Sequence, residues 1–229
     1  RVDGMILSLA SERSPETLAV LRGLEQPFVV VDRELPAELG ASAVLSDHRA
    51  GLTEAVEHLI GLGHRRIALI AGPLDVRPGY ARLDALRAAL AERTPDAEPI
   101  HLCGPFSPDF GERATYALLD RPRPPTAIVV GSNVLLVGCL RALAARRLAI
   151  PGDVSLVTCD DVPLAELHSP PLSAVARDTE ALGRTAAELL LRRLRDEAGP
   201  ERVVLPTRFV ARASTGAPAE RTDRHTEED

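Results

Sequence analysis

The pattern of apolar positions in residues 51–73 predicts an amphipathic helix followed by a buried strand. In the first half, apolar residues recur at helical spacing, at Leu52, Val56, Leu59 and Ile60. Gly61 and Gly63 follow, and glycine can end a helix because it adopts the left-handed conformation at low cost. Residues 67–71 are then all apolar, which is typical of a strand covered on both faces of a parallel sheet.

The same reading predicts alternating strands and helices along the rest of the chain. Strands are predicted at 2–9, 28–32, 43–45, 100–103, 127–130 and 154–158. Helices are predicted to begin at Ser14-Pro15 and Asp178 and to cover 82–90, 108–119 and 135–147, and two short extended segments follow at 202–205 and 208–211. This alternation indicates an α/β fold with a parallel sheet. Because no linker marks a single domain boundary, two lobes would require several chain crossings.

Composition narrows the class of protein. The chain has 229 residues and a formal net charge of -6, and no arginine-rich stripe stands out, which argues against DNA binding by these residues. The cysteines are few and widely spaced, so we expect free thiols at Cys103, Cys139 and Cys159. No apolar run approaches the about 18 residues of a membrane span, and the visible start has no signal peptide. A cytoplasmic protein without membrane contact is therefore expected.

Polar and aromatic residues follow several predicted strands, at the edge where open parallel sheets bind ligands. Any one of them alone is most often a turn, cap or core residue. As a convergent set they suit a sugar, because carboxylates, amides and guanidinium groups bind vicinal hydroxyls and an aromatic face covers the apolar side of the ring. The candidate site residues are Asp32, Arg82, Phe106, Ser132, Asn133 and Asp160.

The sequence offers little support for catalysis, a cofactor or a metal. Ser132 lies in no GxSxG motif, and neither a GxxxxGK[ST] loop nor a GxGxxG turn after a strand is present. The histidines between positions 48 and 168 lack metal-ligand spacing. The adjacent Asp160 and Asp161 fit a loop start with a hydrogen-bond acceptor better than a metal site. We therefore expect a ligand-binding protein that is not an enzyme.

Eight motifs occur in the order and at the approximate spacing of the sensor domains of lactose-repressor-type (LacI/GalR) transcriptional regulators. The most specific are GHRRIALIAGP, IPGDVSLVTCDD followed by SPPLSAV, and the closing RFVARAST. The chain therefore resembles that family over nearly its whole length. The eight motifs are VDGMIL, FVVVDR, SDHRAG, HLIGLGHRRIALIAGP, PPTAIVVGSN, IPGDVSLVTCDD, SPPLSAV and RFVARAST.

The resemblance implies an α/β fold of two Rossmann-like lobes, each a parallel sheet with flanking helices, joined by three crossovers as in periplasmic sugar-binding proteins. Residues 1–46 and 177–205 would form the N-terminal lobe, and residues 47–176 and 206–213 the C-terminal lobe. Residues 214–229 would form a disordered, charged tail. The N-terminal lobe is expected to be incomplete. The family's helix-turn-helix, hinge helix and first two βα units have no counterpart, so we expect a piece of a longer regulator.

The resemblance also assigns roles to site residues. Asp32 matches the carboxylate of the family's VDR cleft loop, and Asp160 matches the first Asp of its G-[FY]-D-D loop, which commonly bonds sugar hydroxyls. Arg82 matches an arginine that reaches the effector, and Phe106 stands where many members place a ring-stacking aromatic. These matches imply a small sugar-like effector in the cleft between the lobes.

Several positions depart from the family pattern. The usual ND pair is Ser132-Asn133 here, the usual Gly three residues after Arg82 is Ala85, and the usual G-[FY] is Thr158-Cys159. The loss of an Asp and of an aromatic changes the charge and shape of the cleft. A standard hexose is therefore not implied, although a sugar or sugar derivative is.

The function implied by the resemblance is that of the effector-binding region of a transcriptional repressor. Effector binding through Asp32, Arg82, Asn133 and Asp160 would close the cleft and change operator binding by a separate helix-turn-helix. A homodimer is implied. Its contacts would come from residues 108–119, Val137, Arg141 and 164–168, which from the sequence alone could equally be exposed helix surface.

Two other readings remain open at this point. A solute-binding protein of a sugar transporter would share the fold, and an export signal upstream would favour it. An enzyme on a Rossmann-like scaffold is the third reading, which turnover of a sugar phosphate or nucleoside would support.

Overall fold

A computed structural model of the protein describes residues 2–94 and 99–219. Across these residues the chain alternates nine strands with seven α-helices. The strands are β1 Met5–Leu7, β2 Phe28–Val31, β3 Ser42–Asp47, β4 Ile67–Ala71, β5 Ile100–Cys103, β6 Ala127–Val130, β7 Ser155–Cys159, β8 Ser173–Arg177 and β9 Arg202–Val210. The helices are α1 Pro15–Arg22, α2 His48–Gly61, α3 Arg77–Arg93, α4 Pro108–Leu119, α5 Asn133–Ala145, α6 Pro163–Leu167 and α7 Thr179–Leu194.

The sheet order is β1-β2-β3-β9-β8-β7-β6-β4-β5, and β9 joins two parallel sections. The N-terminal section consists of β1 to β3 and the first half of β9, which runs parallel to β3. The C-terminal section consists of β4 to β8. The second half of β9 pairs with β8 in the antiparallel direction. The α/β fold with parallel sheets and flanking helices is thus confirmed.

Apolar side chains cover both faces of the C-terminal section. Helices α2 and α3 pack on one face around Leu52, Leu69 and Leu86, and α4 and α5 pack on the other around Ile70 and Leu136. In the N-terminal section, α7 covers one face of β2 and β3. The burial of continuous apolar strands explains why periodicity located them well, since such strands carry no polar alternation.

Helix starts follow the chemistry expected from the sequence. The Ser14 side chain accepts a hydrogen bond from the Thr17 amide, and Asp178 accepts one from the Ala181 amide, so both predicted caps are confirmed. After α2, Gly63 adopts a φ of 100°, the left-handed conformation that ends the helix. Gly61 is instead the last helical residue.

Four elements differ most from the sequence prediction. The two extended segments at 202–205 and 208–211 are one continuous strand, β9, because it changes neighbours from β3 to β8 without a break. Helix α3 begins five residues before position 82, with a proline in its first turn, where we predicted a loop. Helix α6 and strand β8 were not predicted.

Residues 214–216, which we predicted to belong to a disordered tail, are ordered against the sheet. Ser214 is fully buried, and its hydroxyl accepts a hydrogen bond from the Ser173 amide. The Gly216 amide donates a hydrogen bond to the Ser155 hydroxyl. Residues 214–216 are therefore packed against β7 and β8, and residues 220–229 lie outside the described part of the chain. Among the described residues, no helix is both long and apolar enough to cross a bilayer.

Candidate functional site

A cavity of about 390 Å³ lies at the carboxyl ends of strands from both sheet sections. This is the edge at which open parallel sheets bind ligands, and the volume is at the small end of the range for ligand pockets. All the predicted site residues except Asn133 line it. Its lining consists of Ser8, Val31, Asp32, Arg33, Pro78, Arg82, Phe106, Ser132, Asp160, Arg177, Thr179, Leu182 and Gly183.

The two aspartates stand directly after β2 and β7 in an uncommon backbone conformation. Asp32 has a φ of 51° and Asp160 a φ of 82°, in the left-handed region that Asp tolerates better than most residues. The Asp32 amide donates to Val44 O, and the Asp160 amide donates to Val175 O. Each strand therefore turns sharply at its end and holds its carboxylate in the cavity wall. Such backbone conformations concentrate at functional sites.

Arg177, the last residue of β8, joins the two aspartates. Its guanidinium forms an ion pair with Asp32 Oδ2, and its Nε lies 2.7 Å from Asp160 Oδ1, although the N–H is not well aligned with that oxygen. Burial lowers the pKa of Arg177, but the Asp160 and Asp32 charges outweigh it and raise this pKa above the usual value. Sequence reasoning missed Arg177 because it lies at the end of β8, which was not predicted.

Arg82 reaches the cavity from α3 and is only 4% exposed. One of its terminal nitrogens donates to Gly131 O at the end of β6. The other lies 3.6 Å from Asp160 Oδ1. Arg82 and Asp160, which the sequence predicted separately, are therefore neighbours on the same wall. Together they offer a cationic donor and an anionic acceptor to a hydroxyl-rich ligand.

Phe106 packs against the backbone at the end of β4. A Cβ added to Gly72 would lie 2.0 Å from Phe106 Cζ, so this ring position requires a glycine at position 72. Phe106 remains 37% exposed and lines the cavity. Its ring is therefore available to a ligand as an apolar surface of the cavity.

Ser132 and Asn133 are placed differently from each other. The Ser132 hydroxyl accepts a hydrogen bond from the Leu135 amide and caps α5, while the residue still lines the cavity. Asn133, the first residue of α5, is exposed and is not part of the cavity lining. Because the cap at Ser132 starts the helix there, the next side chain lies outside the cavity. Ligand contact by Asn133 remains a prediction.

His48, the first residue of α2, stands behind the cavity lining next to Asp32 and is 3% exposed. Its Nε2 is 3.9 Å from Asp32 Oδ1 and has no hydrogen-bond partner among the described residues. Burial and the positive charges of four arginines lower its pKa well below the ordinary 6.5; those arginines are Arg82, Arg177, Arg77 and Arg33. His48 is therefore neutral in the folded protein at pH 7.

Because the pKa of His48 is lowered in the folded chain, we expect the protein to lose stability in mildly acidic solution. The unfolded chain takes up a proton at His48 near pH 6.5, whereas the folded chain does not. The free energy of unfolding should therefore be highest above pH 6.5 and fall as the pH drops below it, by up to about 1.4 kcal/mol per pH unit for His48. Urea unfolding between about pH 5.5 and 7.5 measures the slope. His48→Gln should have a smaller slope, and a slope equal to that of the unmodified chain would contradict this prediction.

The described residues contain no cluster of three or more His, Cys, Asp or Glu side chains that could hold a metal ion. Cys139 and Cys159 are buried, and burial raises the pKa of Cys139 to about 12. A thiol with so high a pKa stays protonated and unreactive. The chemistry of the cavity is therefore that of its charged, hydroxyl and aromatic side chains.

Comparison with known proteins identifies relatives of the chain. Residues 56–215 match the family described as periplasmic binding protein-like domain. The HTH-type transcriptional regulator CelR of Thermobifida fusca is 37% identical to the chain over 216 residues, which are 93% of the chain and 63% of CelR. The chain thus spans less than two thirds of the length of this relative.

Solved structures agree with the sequence match. A complex of the transcriptional regulator CelR with cellobiose has a TM-score of 0.83 and 36% identity, covering 93% of the chain and 66% of that structure. A LacI family transcriptional regulator from Enterococcus faecium with bound ribose has a TM-score of 0.81 and 32% identity, covering 94% and 80%. The chain belongs to the periplasmic binding protein-like domain family, in the form carried by LacI-type transcriptional regulators.

Proposed function

We propose that the chain is the effector-sensing region of a transcriptional repressor and binds a sugar or sugar derivative in the cavity between its two sheet sections. The observation that carries this proposal is the convergence of Asp32, Arg82, Phe106 and Asp160 on one cavity at the strand ends. Paired charges beside an exposed aromatic ring suit a neutral ligand with many hydroxyls. The bound cellobiose and ribose of the two similar structures support the same ligand class.

The two sheet sections would act as lobes. The N-terminal lobe would comprise residues 1–46 and 177–205, and the C-terminal lobe residues 47–176 and 206–213. Arg177 stands where the chain passes from β8 to α7, and it pairs with carboxylates from both sections. A ligand between these side chains would stabilise the closed arrangement by its differential affinity for it.

Closure would be transmitted to DNA in the complete regulator. We propose a homodimer in which lobe movement changes the spacing of helix-turn-helix heads, in keeping with the naming of CelR as an HTH-type regulator. The proposed dimer contacts include α4, Val137, Arg141 and residues 164–168. Leu167 is 84% exposed and Leu164 is 39% exposed, so apolar surface is available on α6.

The regulator is favoured over the alternatives. The relatives are named as transcriptional regulators, which favours a cytoplasmic sensor over the solute-binding protein of a transporter. An enzyme is disfavoured because the cavity presents a salt-bridged Asp–Arg–Asp arrangement, in which the candidate acid and base groups are already paired.

A binding experiment tests the proposal. A thermal-shift screen of monosaccharides, disaccharides and sugar derivatives should identify a compound that raises the melting temperature, because it binds the native state alone. Asp160→Ala should then weaken binding of that compound about 100-fold in a calorimetric titration, since a carboxylate bonded to ligand hydroxyls contributes about 1.5–3 kcal/mol.

Asp84→Ala is the matched control. Asp84 lies on α3, its side chain is 71% exposed, and it forms only a surface ion pair with Arg87. Its variant should bind the sugar as the unmodified chain does. Equal affinity of the Asp160→Ala variant would contradict the proposed cavity, and the absence of any stabilising sugar in the screen would contradict the ligand class.

A further inference from the structure

Arg212 follows β9 and holds together the two ends of the segment of residues 161–172. Its Nη2 donates to Asp161 Oδ2 at 2.8 Å, at the start of the segment, and its Nη1 donates to Leu172 O at 2.7 Å, at the end. The same Nη2 lies 3.7 Å from Glu166 Oε1 on α6, in the middle. One guanidinium therefore contacts all three parts of the segment, because its planar fork presents several donors in fixed directions.

These contacts are partly shielded from water, and the backbone of Arg212 is fixed to the sheet. The side chains of Arg212 and Asp161 are 17% and 20% exposed. The Arg212 amide donates to Ser173 Oγ at 2.9 Å, and Ser173 Oγ donates to Arg212 O at 3.3 Å. Ser173 is the first residue of β8 and is fully buried. The ion pair with Asp161 is therefore a charge-assisted hydrogen bond built on an anchored backbone.

Asp161 is the direct neighbour of Asp160 in the chain, and the two carboxylates contact different parts of the protein. Asp160 lines the cavity, where it pairs with Arg177 and lies near Arg82. Asp161 pairs instead with Arg212, and neither of these two residues is part of the cavity lining. A ligand that restricts the backbone at Asp160 therefore also restricts the first residue of the segment that Arg212 holds.

The middle of the segment is α6, which presents apolar side chains on its outer side. Ala165 is fully buried, and the Leu172 amide donates to Ala165 O at 2.8 Å. Leu167 and Leu164, on the other hand, are 84% and 39% exposed and belong to the surface already proposed for the dimer. A helix of five residues is too short to be stable by itself, so its position depends on the contacts made by its neighbours and by Arg212.

We propose that Arg212 is a positioning residue that couples the cavity to the outer surface of α6, so that a sugar bound to Asp160 stabilises the segment of residues 161–172. This inference rests on the proposed sugar-sensing function. The sugar limits motion of the turn that follows β7, and the Arg212 guanidinium extends that restriction to α6 and to Leu172. The surface of α6 then becomes more rigid when the cavity is occupied, which is a positive coupling between two distinct sites.

Amide hydrogen exchange measures this coupling, because it reports local opening of the segment. The amides of Ala165, His168 and Leu172 all donate to backbone oxygens within the segment. The most stabilising sugar of a screen that includes cellobiose and ribose should slow their exchange at least about fivefold, the lower end of usual coupling. In Arg212→Ala the same sugar should slow this exchange less than about twofold. The affinity for the sugar should stay within about twofold, because Arg212 does not line the cavity.

The ratio of exchange rates without and with sugar separates coupling from stability. A purely structural role of Arg212 would speed exchange in both conditions in the alanine variant and leave the ratio unchanged. Arg146→Ala is the matched control, because Arg146 Nη2 also donates to a carboxylate, Asp120 Oδ1 at 2.7 Å. This pair joins the ends of α5 and α4, and neither member lines the cavity. The control variant should keep the ratio of the unmodified chain.

The outcomes separate the inference from the function on which it rests. If the unmodified chain binds no sugar, the proposed function fails and the coupling fails with it. If the chain binds sugar but the sugar does not slow exchange in the segment, or if Arg212→Ala keeps the ratio, only the role of Arg212 is overturned.

A second variant keeps the test decisive if Arg212→Ala does not fold. Asp161→Ala removes the same ion pair from its other end and leaves the Arg212 contacts with Leu172 and Ser173 in place. The ratio should fall below about twofold in this variant as well, and a retained ratio would overturn the inference.

Discussion

Replacing Arg177 by alanine is expected to lower the free energy of unfolding by about 3 kcal/mol. The substitution removes the cation shared by Asp32 and Asp160, whose side chains are 7% and 16% exposed. Two nearly buried carboxylates then lie in one cavity without that partner, and removing one member of a buried pair leaves an uncompensated charge. The value is at the lower end of the usual range because Ser46 still donates to Asp32 and Arg82 lies near Asp160.

Urea unfolding at pH 7 measures this loss. Arg184→Ala on α7 is the control, because Arg184 is 58% exposed and pairs only with the exposed Glu180 one helical turn away. The control should change the free energy of unfolding by less than about 0.5 kcal/mol. A loss below about 1 kcal/mol for Arg177→Ala would show that the Asp–Arg–Asp arrangement contributes little to the folded state.

Replacing Gly138 by alanine is expected to lower the free energy of unfolding by a similar amount, about 3 kcal/mol. Helices α4 and α5 approach closely here, and a Cβ on Gly138 would lie 1.9 Å from Pro108 O and 2.5 Å from the Glu112 amide nitrogen. Both contacts are with backbone atoms of α4, so no side-chain rotation can relieve them. The two helices must separate, which loosens the core on that face of the C-terminal section.

Gly61→Ala provides the matched comparison. Gly61 is also helical, but a Cβ there would meet nothing within 4 Å. Alanine at this position should raise the free energy of unfolding by about 0.5–1 kcal/mol, because alanine favours the helix over glycine. If the Gly138→Ala variant unfolds at the same urea concentration as the unmodified chain, the close approach of α4 to α5 described here would be contradicted.

The elements predicted best from the sequence are those with local signals. The strands at 67–71, 100–103 and 127–130 and the helix at 108–119 have the same bounds in the structure. The strands at 67–71 and 127–130 are uninterrupted apolar runs, the strand at 100–103 begins directly after Pro99, and the helix begins at a proline after the capping Ser107. The limits of these elements are therefore set by neighbouring residues. Strand β8 lacks such a signal. It is five residues long, follows Pro170-Pro171, and is held by pairing with β7 and with the distant β9.

The site residues also fall into those that local sequence signals predict and those that depend on long-range contacts. Asp32, Phe106 and Asp160 could be chosen because each comes soon after an apolar run, and the edge rule for parallel sheets then places them together. Arg177 could not be chosen, because its strand is defined by long-range pairing and its role depends on reaching both aspartates. The need for a glycine at position 72 could not be predicted from the sequence either, because the Phe106 ring packs on Gly72 only in the folded chain.

The central claim is that a sugar binds in the cavity between the two sheet sections, and a crystal structure of the chain with the most stabilising sugar tests it most directly. The account predicts a sugar whose hydroxyls bond Asp160 and Arg82 and whose ring lies against Phe106. A sugar seated elsewhere, with the cavity at Asp32 and Asp160 free of ligand, would contradict the account.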